Sequence, residues 1–214
     1  MTFDDGPYLY TNHLLDVLEQ HKAKATFFIN GDNLGRGNID DPSTPWPETL
    51  RRMHHAGHQI GSHTWSHVDL TAVSPSTRDQ DVVNLEDALV NIFGWYPIYL
   101  RPPYGSCELE CQEDFAQRRY HVITWDIDTR DFEHRSPETV HYAMDIFSDV
   151  LSWDSLHNSY ITLSHDVHEP TAYILAEFML RMLEERGYRA VTVGECLGDP
   201  PGNWYRRRTP GTRG

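Results

Sequence analysis

Seven short apolar runs recur along this chain, and the segments between them carry helical spacing. "MTFD" (1–4), "ATFFIN" (25–30), "HQIGSH" (58–63), "IYLRP" (98–102), "HVITWD" (121–126), "YITLSH" (160–165) and "RAVTV" (189–193) are rich in β-branched and aromatic residues, which predicts strands. Between them, Leu14, Leu15 and Leu18, then Leu50, Met53 and His54, then Val82, Leu85, Leu89 and Ile92 fall at helical steps. Phe115, the set Val140, Met144 and Phe147, and the set Ile174, Phe178 and Met182 continue the pattern. Strands alternating with helices join in parallel through helical crossovers, so the chain is expected to be an α/β domain. An eight-unit barrel usually takes about 250 residues, and this chain shows seven units in 214. A distorted (β/α)7 barrel, TIM-barrel-like with parallel strands, is therefore expected, with an open doubly wound sheet as the alternative. The domain is expected to span 1–197, leaving 198–214 as a C-terminal tail that ends in the solvated "RRRTPGTRG" (206–214).

Charge excludes several partners. A formal net charge of -14 and a pI near 5.2 disfavour phosphate backbones and anionic lipid, so neither nucleic acid nor membrane insertion is expected. No apolar stretch approaches the roughly 18 to 20 residues that span a bilayer. The three cysteines, Cys107, Cys111 and Cys196, are an odd number. Cys107 and Cys111, in "CELEC", could close a local disulfide or remain thiols, and nearby residues offer no convincing metal set.

The informative residues stand at strand ends. Asp4 and Asp5 follow the first strand, His63 the third, Arg101 lies near the end of the fourth, Asp128 and Asp131 follow the fifth, and His165 ends the sixth. In a parallel barrel these ends share the face that carries active sites. "HTWSH" sets His63 and His67 four apart, one helical turn, close enough to share a metal ion. His54, His55 and His58, among 13 histidines, are decoys for this pattern. Two histidines and the Asp5 carboxylate leave coordination positions open for water and substrate, with zinc the default for hydrolysis and iron in an oxygenase the rival. Asp4 could then accept a proton beside a metal ligated by Asp5, provided Gly6-Pro7 turns the chain so that both acids reach one site. The competing reading is a helix cap. His165 and His168 in "LSHDVHE" are acid/base, ligand or core candidates, and Arg101 before Pro102-Pro103 is expected to be buried against an acid.

Together "TFDDG", "HTWSH", "RPPYG", "DTRDF" and "LSH" resemble the five ordered motifs of the polysaccharide deacetylases, carbohydrate esterase family 4, with the NodB homology domain. The resemblance runs from residue 2 to about 195 and is strongest to the fungal chitin deacetylases. It implies Asp4 as general base, Asp5, His63 and His67 as metal ligands, Arg101 orienting Asp4, and the Tyr104 backbone N–H binding the oxyanion. It implies further that Asp131 holds His165, the general acid, and that Leu163 lines the acetyl pocket. Zn2+ is the implied metal, with Co2+ or Ni2+ able to replace it. Phe132 stands where relatives often carry Trp, which predicts an altered pocket shape.

On that resemblance the chain is expected to be a secreted, monomeric enzyme that deacetylates chitin or chitooligosaccharides, with "CELEC" as the disulfide Cys107–Cys111 of an extracellular protein. Peptidoglycan N-deacetylation and de-O-acetylation of xylan are the rival reactions, and a carbohydrate-binding protein without catalysis is the rival of another class. Trp46, Trp95, Tyr99 and Trp204 are candidate sugar platforms. The short first strand also suggests that the native chain extends upstream of Met1, with an export signal and a partner for Cys196 there.

Overall fold

The computed structural model describes residues 1–32 and 34–208. In chain order the regular elements are β1 (Thr2–Asp4), α1 (Thr11–Gln20), β2 (Thr26–Ile29), α2 (Trp46–His55), β3 (Gln59–Ser62) and α3 (Pro75–Phe93). There follow β4 (Trp95–Pro97), β5 (Tyr99–Leu100), α4 (Leu109–Gln117), β6 (His121–Val122) and β7 (Ile127–Asp128). The last are α5 (Val140–Val150), β8 (Thr162–Leu163), α6 (Ala176–Glu185), α7 (Val193–Cys196) and β9 (Tyr205–Arg207).

A parallel sheet runs β1-β2-β3-β5-β6, and a second parallel pair is β7-β8. A parallel bridge between Asp4 and His165, with the Asp4 N–H donating to Ser164 O at 2.9 Å, joins the pair to β1. Seven strands thus curve in the order β7-β8-β1-β2-β3-β5-β6, and the ring is open between β6 and β7 among the described residues. This is the distorted barrel expected, but its seven strands differ in two places from those expected. "HVITWD" is not one strand: pairing stops after Val122, and a separate strand begins just beyond the run at Ile127 against β8, so two staves stand where one was expected. "RAVTV" is not a strand. It crosses the amino-terminal end of β2, where Ala190 O accepts from the Lys24 N–H and the Val193 N–H donates to Thr26 Oγ1. Thr192 then caps α7 by accepting from the Glu195 N–H, a T-x-x-E signature that outweighs the β-branched composition.

Strand alternation sorts the two faces of the sheet. Phe3 and Phe27 stack at 5.4 Å and, with Ile60, pack against Leu14, Leu18, Leu50 and Leu89 of the surrounding helices. Thr2, Asp4, Thr26 and Gln59 have the opposite parity and are buried with Arg101. Thr26 Oγ1 donates to Gln59 Oε1 at 2.9 Å, so this interior is hydrogen-bonded as well as filled. A Cβ on Gly61 would lie 2.6 Å from the Phe28 ring, and that ring in turn lies under the Arg101 guanidinium at 4.3 Å. Helix α3 shows clear local signals: Ser74 caps it by accepting from the Thr77 N–H, Pro75 opens it, and Gly94 in the left-handed region ends it.

The segment 198–208 departs from the expected tail. β9 pairs antiparallel with β4, Trp204 is buried, and the Tyr205 hydroxyl accepts from the Ile60 N–H at 3.0 Å. Arg206 donates to the carbonyls of Arg118 and Arg119, and Arg208 pairs with Glu86 and Asp87. The arginines that looked solvated thus tie this segment to α3 and the turn after α4. Residues 209–214 of the expected tail lie outside the described residues.

Candidate active site

Asp4 ends β1 on the interior side, where Arg101 Nη1 donates to its Oδ1 at 2.9 Å. The same nitrogen donates to Thr2 Oγ1 at 2.6 Å, and Nη2 donates to Thr124 O at 3.1 Å. Arg101 is fully buried, so it meets the expectation of a cation paired with an acid. Burial pushes the Asp4 carboxyl up, and Arg101 pulls the other way.

Adjacent strand residues face opposite ways. Asp5 escapes this by taking φ +74°, in the left-handed region, immediately before Gly6-Pro7. Its Oδ1 lies 3.5 Å from His63 Nε2 and 3.3 Å from His67 Nε2. The ligand atoms of Asp5, His63 and His67 all fall within 4.8 Å of one another. His63 and His67 do not lie on a helical turn as expected: 63–67 is irregular, and left-handed φ values at Thr64 (67°) and His67 (57°) bring the rings together at 5.0 Å.

The donor chemistry suits a cation. His63 Nδ1–H donates to Arg101 O at 2.7 Å, which fixes the tautomer and leaves the Nε2 lone pair facing Asp5. Burial pushes His63 down to about 3, so it stays neutral and able to ligate. Asp5 Oδ1 is buried without a hydrogen-bond partner, which is costly for a carboxylate oxygen unless a cation completes it.

His165, at the end of β8, joins the same cavity. Its Nδ1–H donates to Asp131 Oδ1 at 2.7 Å, while Asp131 Oδ2 accepts from the His165 N–H and from Thr171 Oγ1, each at 2.7 Å. Burial opposes charge on His165, but the Asp131 carboxylate and its hydrogen bond prevail and raise it to about 9. Asp131 is correspondingly held below its ordinary value despite burial, because His165 pairs with it. The pair favours the protonated imidazole, whose second N–H would be on Nε2.

These residues line a cavity of about 640 Å³ at the carboxyl ends of the strands. Tyr104, 71% exposed in a turn with φ +60°, packs its ring edge-on to His67 at 4.7 Å. Phe132 meets His165 edge-on at 5.6 Å, and Leu163 lines the floor. Asp128 and His168 also border the cavity, and burial pushes His168 down, away from an acid role.

The aromatic platforms expected from sequence are placed elsewhere. Trp46 is buried at the start of α2 and donates its indole N–H to Arg36 O at 3.0 Å. Tyr99 and Trp204 are buried, and Trp95 packs between Phe93 and Tyr205. Apolar fill, not sugar contact, holds these four rings. Trp125 and Tyr8 line the cavity instead and were missed. Trp125 stood in view at the end of "HVITWD", where a strand end on the catalytic face was already expected. Cys107 and Cys111 form a disulfide packed against Leu70, Phe115 and Tyr120, and Cys196 is free.

Comparison with known proteins agrees with this geometry. The polysaccharide deacetylase family model matches residues 1–123. A chitin deacetylase of Colletotrichum lindemuthianum is 47% identical over 206 residues, which cover 96% of this chain and 82% of that protein. The solved structure of the chitin deacetylase from that fungal pathogen superposes with a TM-score of 0.93 at 46% identity, over 99% of this chain and 92% of the other. The peptidoglycan deacetylase PdaC of Bacillus subtilis gives 0.76 at 32% identity, over 92% and 88% of the two chains.

Proposed function

This chain belongs to the polysaccharide deacetylase family, and from that premise we propose that it hydrolyses N-acetyl groups from N-acetylglucosamine units of chitin or chitooligosaccharides, releasing acetate. The observation that carries the reading is the meeting of a two-histidine, one-carboxylate cluster with two separate proton-transfer groups, Asp4 and His165, in one cavity.

Asp5, His63 and His67 would hold a divalent cation, Zn2+ by preference with Co2+ or Ni2+ as substitutes. Such a cation supplies Lewis-acid polarisation of the acetyl carbonyl and acidifies attacking water. Asp4 would accept a proton from attacking water through Oδ2: Arg101 occupies its Oδ1, and Oδ2 faces the cluster, 3.9 Å from His63 Nε2. Arg101 keeps this carboxylate oriented. The Tyr104 backbone N–H serves the developing oxyanion, and Leu163 and Phe132 enclose the acetyl methyl group. An amine leaves poorly unless protonated, so His165 delivers its Nε2 proton to the sugar nitrogen while Asp131 holds the ring by Nδ1. The disulfide supports an extracellular setting.

Elemental analysis of bound metal, combined with acetate release from chitooligosaccharide, peptidoglycan and acetylxylan before and after chelation, tests the reading. Metal-dependent release from chitooligosaccharide is expected. Negligible release there beside strong release from acetylxylan would overturn the substrate, and absence of both metal and turnover would return the carbohydrate-binding alternative.

A further inference from the structure

Arg36 lies in the long loop between β2 and α2, outside the set of residues that line the cavity. Its guanidinium forks across three backbone carbonyls. Nη1 donates to Asp5 O at 2.8 Å, and Nη2 donates to Gly6 O at 3.2 Å and to Asn30 O at 2.7 Å. Asn30 follows β2, donates its own N–H to Gly6 O, and directs its side-chain amide to the carbonyls of His63 and Thr64 after β3. The ends of three adjacent strands, two of them carrying proposed ligands, are therefore cross-tied through one arginine and one asparagine.

We propose that Arg36 is a positioning residue for the metal site, holding Asp5 in the left-handed turn that aims its carboxylate at His63 and His67. The inference rests on the functional reading above. Asp5 is not glycine, yet it sits at φ +74°, a conformation costly for an L residue unless its surroundings enforce it. Arg36 engages the carbonyl of the Asp5–Gly6 peptide and that of the Gly6–Pro7 peptide after it, so the donors sit where this turn needs them. An extended Asp5 would direct its side chain away from Asp4 and away from the histidines. A planar fork with two donor nitrogens can satisfy three convergent carbonyls at once, whereas the single ammonium of lysine, a point donor on a flexible stem, cannot span them in the same geometry.

The test compares wild type, Arg36→Met and Arg36→Lys as full chains, stripped of metal by chelation. Three readouts are taken: Zn2+ affinity by competition with a chromogenic chelator, kcat and KM on soluble chitooligosaccharide, and Tm of the apo forms. Arg36→Met is expected to weaken Zn2+ binding about 10- to 100-fold, the usual effect of losing an outer-shell partner. At saturating Zn2+, kcat should fall while KM stays within about twofold, because Arg36 is not among the residues that line the cavity. Arg36→Lys should recover only part of the loss. Folded variants that bind Zn2+ as wild type does would overturn the proposal, as would unfolding of both variants, which would assign Arg36 to the whole fold. A wild type that binds no Zn2+ would overturn the functional reading and this inference with it, an outcome distinct from wild-type binding matched by the variants.

Discussion

Asp131→Asn isolates the proposed proton donor from everything else in the site. Against burial, which lowers it, His165 rises from an ordinary 6.5 to about 9, and Asp131 is the foremost of the groups that raise it. At ~1.4 kcal/mol per tenfold change in proton affinity, the rise corresponds to ~3 kcal/mol of preference for the imidazolium. With 14% of the His165 side chain and none of Asp131 exposed, solvent screens little of this. The sign follows from the directions of the two shifts. The raised His165 contributes stability in full below 6.5 and loses it as pH rises through about 9. The depressed Asp131 contributes above its ordinary 3.8 and loses its share as pH falls through its lower folded value. One interaction underlies both, and it is counted once. Asparagine removes the charge, so burial prevails and His165 falls below 6.5. An amide also cannot accept at both of its atoms: Oδ2 of Asp131 receives two donors, and one face of Asn must present NH2 to donors instead, at about 1–3 kcal/mol of stability. Acetate release should be followed from about pH 5 to about pH 10, with His165 titrated by NMR. Loss of a positioned general acid predicts a fall in kcat of about 10²- to 10⁴-fold near neutrality, and the basic limb of the profile should move down by more than about two pH units. A variant whose basic limb stays where wild type has it would refute His165–Asp131 as the acid.

Asp4→Asn should abolish turnover while metal stays bound, and it leaves the buried Arg101 cation without a counter-charge, costing up to roughly 3–5 kcal/mol in urea unfolding. Near-normal kcat in that variant would remove Asp4 as the base. His63→Ala should emerge from gel filtration without metal by elemental analysis, because it deletes a proposed ligand and the donor to Arg101 O; retained stoichiometric metal would exclude His63 from the site. Trp204→Ala should cost about 3–5 kcal/mol of stability by denaturant titration, since the ring is 6% exposed and its indole N–H donates to Asp199 O. A cost below about 1 kcal/mol would make the segment around β9 peripheral.

What could be read in advance divides by the kind of interaction that fixes it. Parity and helical spacing follow from local geometry, so the α/β alternation, the catalytic face and the gathering of Asp4, His63, Arg101, Asp131 and His165 were legible in the chain. Aromatic placement was not, because composition reports that Trp46, Tyr99 and Trp204 want burial or stacking but not which; burial prevailed at each. "RAVTV" had strand composition, and "TVGE", which overlaps its end, held a capping signal that decided the matter. His63 and His67 were paired on helical spacing, and the structure pairs them through left-handed residues that no spacing rule describes. The acid pair shows the same limit most sharply. Two neighbouring aspartates are plain in any reading of "TFDDG", but whether both can serve one site depends on a single torsion at Asp5. The donor that meets the Asp5 carbonyl stands 31 residues away in sequence. Arginine bound to backbone carbonyls leaves no motif, since any sequence offers the same acceptors. It becomes visible only when the strand ends are brought side by side, and that is why the proposed ligand set could be read before the residue proposed to hold it in place.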